Sequence, residues 1–164
     1  MSDEKNLTKV RVELPNHWAT GGESIWAANL GNGLYELRNT PFYAYDLNWG
    51  DVVQASADDP NVKPEIVSVV KRSGHRTLRC FFKKHVSQEE ALEYLDRNLK
   101  PLHVSYEGLN GFYFALNLAP EAREDDVRDV LEQMQDAQLI EYETCEARVA
   151  GSFDDRPKEP EGDG

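Results

Sequence analysis

Two cysteines among 164 residues are too few for a disulfide framework, and neither Cys80 nor Cys145 has a second cysteine or a histidine at the short spacing that zinc sites favour. Both read as buried thiols, because unpaired cysteine is among the most buried residue types. No stretch approaches the roughly 20 consecutive apolar residues of a membrane-spanning helix, and the opening Met-Ser-Asp-Glu-Lys-Asn lacks the apolar run of a signal peptide. A cytoplasmic protein with no membrane partner is expected. Missing too are a Gly-rich phosphate loop, a Gly-x-Ser-x-Gly elbow, a His-x-x-x-His pair and a Cys-His nucleophile setting. His17, His75, His85 and His103 are dispersed, so no catalytic residue, metal ligand or cofactor is assigned.

Positive charge is scarce as well. Eighteen basic residues stand against 30 acidic ones, a net charge of -12, which leaves no broad basic face for neutralising phosphates and makes a nucleic-acid partner unexpected. The one exception is residues 71–86. Lys71, Arg72, Arg76, Arg79, Lys83 and Lys84 lie there with His75 and His85 and no acid, so a local positive potential is expected.

What is present is 40% apolar residues, enough for a core, in two halves of different character. Strands are predicted over 8–14, 24–30, 34–37, 52–57 and 66–72, separated by turn residues, with Gly31-Asn32-Gly33 a hairpin signal. Five short strands without helical periodicity point to a small antiparallel β-barrel-like unit over residues 8–73.

After it, a strand over 77–82 leads into Val86-Ser87-Gln88-Glu89-Glu90. In this capping box Ser87 and Glu90 exchange side-chain and backbone hydrogen bonds, and Val86 staples against Ala91. Ala91, Leu92, Leu95 and Leu99 form the apolar stripe of that helix. Strands over 102–106 and 112–118 flank a hairpin loop at 107–111. A second helix over about 123–136 has Val127, Val130, Leu131 and Met134 on one face and acids in its first turn. A strand over 139–145 completes a ferredoxin-like β-α-β-β-α-β unit, residues 74–148, in an α+β chain. Residues 1–7 read as a flexible N-terminus, and 149–164, rich in Pro, Gly and acids, as a disordered acidic tail.

Residues 37–51 concentrate aromatic and amide groups where no regular element is expected. Tyr43, Tyr45 and Trp49 offer flat apolar faces and Arg38 and Asn39 directed donors, a ligand-contacting set; alternatively, the aromatics plug one end of the barrel, with Asn48 and Asp51 capping the turn. The turn Ser73-Gly74-His75-Arg76 falls where the halves meet, so His75, Arg76 and Arg79 are candidates for binding an anion in a cleft, with His75 available as acid or base near neutral pH. As a connector, the same turn would be simply solvated. The acids Glu124, Asp125, Asp126, Asp129, Glu132 and Asp136 read as the solvated side of the second helix.

Three segments, Arg38-Asn39-Thr40-Pro41-Phe42-Tyr43, Leu47-Asn48-Trp49-Gly50-Asp51-Val52-Val53 and Ser73-Gly74-His75-Arg76-Thr77-Leu78-Arg79, resemble a bacterial family of unknown function, over residues 8–148. The resemblance implies a common fold and a bacterial origin and supplies no catalytic residues. With net charge -12 and no catalytic signature, the expected function is non-enzymatic recognition of another macromolecule by the aromatic loop and the acidic helix face. An inhibitor or immunity-type partner of a basic protein fits this description. The alternative is a small-ligand sensor or enzyme whose anion site lies between the halves.

Overall fold

In the computed structural model the chain is described over residues 7–14 and 20–146. His17 and the acidic tail over 149–164 lie outside those residues, as does the N-terminal segment apart from Leu7. Among the described residues the chain is a mixed α+β protein with two sheets and two α-helices. Strands β1 (Leu7–Glu13), β2 (Gly22–Gly31), β3 (Leu34–Leu37), β4 (Val52–Ser56) and β5 (Glu65–Lys71) pair antiparallel in succession. A parallel bridge between Arg11 and Glu65 returns β5 to β1, so the first sheet is ring-like. Gly31, Asn32 and Gly33 all have positive φ, 88°, 58° and 79°, and make the tight turn into β3 that their types favour. Val10, Val12, Ile25, Ala27, Leu37 and Val53 fill the ring, and Ala44 and Leu47 enter from the segment between β3 and β4.

The second sheet holds β6 (Arg76–Phe82), β7 (Val104–Leu109), β8 (Tyr113–Leu118) and β9 (Ile140–Thr144) in the order β7-β8-β6-β9, each neighbouring pair antiparallel. Helix α1 (Gln88–Asn98) follows β6 and α2 (Glu124–Asp136) follows β8. The expected capping box is formed at α1: the Glu90 amide donates to Ser87 Oγ at 3.1 Å and the Ser87 amide to Glu90 Oε1 at 3.2 Å. Both helices bury their stripes, Ala91 and Leu95 on one and Val127, Leu131 and Met134 on the other, against the sheet face carrying Leu78, Cys80, Phe82, Phe114, Leu116 and Leu118. One sheet face is thus the core and the opposite face carries the site.

Two expectations shift. The strand expected at 102–106 begins at Val104, because Lys100–Leu102 forms a 3-10 turn with Pro101 near its start, and His103 reverses the chain at φ 65°. That strand then runs through Gly108 to Leu109, so the connection to β8 is a short turn over 110–112 rather than a loop over 107–111. Tyr106, the ring beside Gly108, packs edge-on against Phe114 at 5.7 Å. A Cβ on Gly108 would stand 2.9 Å from Phe114 Cε1, so only glycine admits that ring as placed.

Candidate functional site

Strand alternation sorts the open face of the second sheet into rows. Register aligns Leu109, Tyr113, Phe81 and Glu141 in one row across the four strands, and Glu107, Ala115, Arg79 and Glu143 in the next. The third row contains Ser105, Asn117 and Thr77. Residues 38–51 cross this face as a strap. Over the third row, Thr77 Oγ1 donates to Asn48 Oδ1 at 2.8 Å, and His75 Nδ1 lies 2.9 Å from Asn117 Oδ1. Over the second, Glu107 accepts from Asn39 Nδ2 at 3.0 Å and from the Thr40 amide at 2.6 Å. The row of Leu109, Tyr113 and Phe81 is left uncovered at its outer part.

Arg79 holds the centre. Its side chain is wholly buried; Nε donates to Glu143 Oε2 at 3.0 Å, and Nη1 to the carbonyls of Ala44 at 3.0 Å and Pro41 at 3.3 Å. The guanidinium carbon lies 4.5 Å from the Tyr45 ring centroid, and Tyr45 Oη donates to Glu143 Oε1 at 2.6 Å. From the first sheet, Glu23 accepts the amides of Phe42, Tyr43 and Ala44 at 2.7, 3.0 and 2.9 Å. The Tyr113 hydroxyl donates to the Phe42 carbonyl. At the far end Asp51, fully buried, accepts the amides of Asn48 at 3.0 Å and Ser73 at 2.9 Å. The strap is therefore fixed by three carboxylates, an arginine and a tyrosine drawn from both sheets, and by its own Asp51.

The uncovered row forms a hollow of about 510 Å³ lined by Tyr43, Tyr45, Phe81, Leu109 and Tyr113, with Arg79 and Glu143 behind and Glu141 at the rim. Tyr43 and Phe42 lie against Tyr113 at ring separations of 6.1 and 6.0 Å. Phe81 is 51% exposed. Burial raises the Tyr45 and Tyr113 hydroxyls above the ordinary phenol range, and the carboxylate of Glu143 adds to both. Burial likewise pushes the Cys145 and Cys80 thiols up to about 12, so neither supplies a thiolate near neutral pH.

The residues singled out by sequence fall into separate groups. Tyr43, Tyr45 and Arg79 meet at the hollow. Arg38, Trp49 and His75 stack at the opposite end of the strap, Arg38 over Trp49 at 5.8 Å and Trp49 against His75 at 4.9 Å, with Arg38 also paired to Glu36 at 2.9 Å. Asn39 is a structural bridge, its Oδ1 accepting the Trp26 amide at 2.9 Å. Arg76 and Arg79 lie on opposite faces of β6: Arg76 Nη2 donates to the carbonyls of Ala122 at 2.6 Å and Ala119 at 3.2 Å at the entry to α2. Four of the six Lys and Arg side chains of the basic window are ion-paired, while Lys71 and Lys84 are exposed. Arg72 pairs with Asp46, Arg76 with Glu124, Arg79 with Glu143 and Lys83 with Glu141.

A second concavity of about 450 Å³, lined by Arg72, His75, Arg76 and Arg128 together with Asp46, Glu124 and Glu146, is likewise internally paired. Sequence reasoning missed Glu23, Glu107, Tyr113 and Glu143. Only Glu143 carried a local signal, as an acid on the same strand face as Glu141.

A family model described as a domain of unknown function (DUF4265) matches residues 23–142, which contain the strap and all of β6, β7 and β8. A solved structure, reported as a novel crystal structure of a hypothetical protein from Neisseria gonorrhoeae, superposes with a TM-score of 0.66 at 14% identity, covering 87% of this chain and 98% of that one. At that identity the likeness shows the fold alone. No curated protein matches the chain.

Proposed function

The chain belongs to the DUF4265 family of domains of unknown function, and we propose that it is a non-enzymatic binding protein that recognises another macromolecule through the aromatic hollow beside the strap. The observation that carries this reading is the uncovered row of Phe81, Tyr113 and Leu109 beneath Tyr43, an apolar floor on a face otherwise sealed by the strap. Aromatic side chains set in such a depression are the usual anchors of protein recognition. Arg79, Glu143 and the Tyr45 and Tyr113 hydroxyls beside it are engaged in holding the strap, and its thiols are silenced by burial. An acidic surface suits a basic partner, as an inhibitor or immunity-type protein would require.

We take the finer architecture in the same spirit. The ring of β1 to β5 reads as a small barrel over residues 8–73, and β6-α1-β7-β8-α2-β9 as a ferredoxin-like unit over 74–148, supported by the order β7-β8-β6-β9 and by two helices on one face. The fold leaves the function open. A small-ligand sensor is the second reading, favoured by the hollow's size, which falls within the range of small-molecule sites.

Affinity capture from the native host at low salt tests the first reading. The wild-type chain should recover a stoichiometric protein that the Phe81→Ser variant does not. Equal recovery by both, or recovery of none, contradicts it.

A further inference from the structure

Building on that reading, we infer that the hollow receives a basic side chain, a lysine ammonium or an arginine guanidinium, presented by a cationic protein partner. Arg79 looks in sequence like an anchor for anions, and in place its donors are either committed or closed off from solvent. Its Nε and Nη1 are committed to Glu143, Pro41 and Ala44, and Nη2 is sealed from solvent, without a hydrogen-bond partner among the described residues. The hydroxyl protons of Tyr45 and Tyr113 are committed to Glu143 and to the Phe42 carbonyl. These groups still present acceptors: hydroxyl lone pairs and the carboxylates of Glu143, 44% exposed, and Glu141, 66% exposed.

The charges around the hollow run the same way. Of the charged residues that line it, Arg79 is the cation and Glu141 and Glu143 are the carboxylates. Lys83 reaches Glu141 at 3.4 Å as an exposed pair, which solvent screens and an incoming cation can displace. A ligand carboxylate or phosphate entering here meets two acids, with the Asn110 amide as the one exposed uncharged donor among the described lining residues. A cation meets the negative faces of Phe81 and Tyr113 with acids just beyond them, the setting in which ammonium and guanidinium groups are held. A lysine or arginine stem lies along Leu109 and Phe81 while its head reaches the carboxylates. The wide rim, where Phe81 is 51% exposed, suits a side chain projecting from a partner surface more than an engulfed small molecule.

Three peptides test this by amide chemical-shift titration of the intact chain: acetyl-Gly-Arg-Gly-amide, its neutral citrulline isostere, and acetyl-Gly-Glu-Gly-amide. The arginine peptide should shift the amides of Phe81, Tyr113 and Glu141 and bind about tenfold more tightly than the citrulline peptide. Glu141→Gln, an exposed change that leaves the Arg79 pair intact, should narrow that ratio. Equal binding of the arginine and citrulline peptides, tighter binding of the glutamate peptide, or no shift of these amides with any of them overturns the inference. If a Phe81-dependent partner is captured while the peptides show no preference for arginine, the binding reading stands and the basic side chain is excluded.

Discussion

Arg79 ties the strap to the centre of the second sheet, with one edge on Glu143 and one nitrogen bridging two strap carbonyls. Replacing it with methionine keeps bulk but leaves the carbonyls of Pro41 and Ala44 without their donor and Glu143 without its cation. Burying carbonyls without a donor costs about 1–3 kcal/mol, and the loss at Glu143, 44% exposed, is softened by solvent, so Arg79→Met should lower the urea midpoint by about that equivalent with the slope unchanged. Arg79→Lys should recover only part of it, since an ammonium cannot reproduce the fork. The thiols give a second check at this scale: at pH 8 neither Cys80 nor Cys145 should react with a disulfide reagent in the folded chain, and both should react in urea. Arg79 also marks the limit of reading residues from sequence. Its period-2 position separates it from Arg76, but its partners come from residues 41, 44 and 143, brought together by sheet order and strap path rather than by local pattern.

At the level of elements, the capping box before α1, the apolar stripe of α2 and the Gly-Asn-Gly turn were legible because each is written in neighbouring residues. The 3-10 turn at 100–102 and the extension of β7 to Leu109 were not, because there the chain follows tertiary packing: Gly108 is kept in a strand by the ring of Phe114. Gly108→Ala forces that buried ring to move and should cost about 1–3 kcal/mol, measured by thermal melting. Ser87→Ala removes the α1 cap and should cost about 1 kcal/mol without touching the hollow. The strap itself resisted prediction. Its aromatics drew notice in the sequence, yet what fixes it is carboxylates from β2, β7 and its own end meeting backbone amides, a pattern with no local signature.

For the whole molecule, the two sheets share one strap, whose Ala44 and Leu47 fill the ring of β1 to β5 while its backbone rests on β6 and β8. That sharing places Tyr43 over Tyr113 and leaves one row of the sheet open. Among the described residues no helix is long and apolar enough to cross a membrane. The measurement that tests the account most directly is amide hydrogen exchange on the chain, alone and in complex with the partner recovered by capture. Added protection should concentrate in β6, β8 and β9 around Phe81, Tyr113 and Glu141, and in the strap near Tyr43. Protection confined to the acidic outer face of α2, with the hollow exchanging as before, would contradict it.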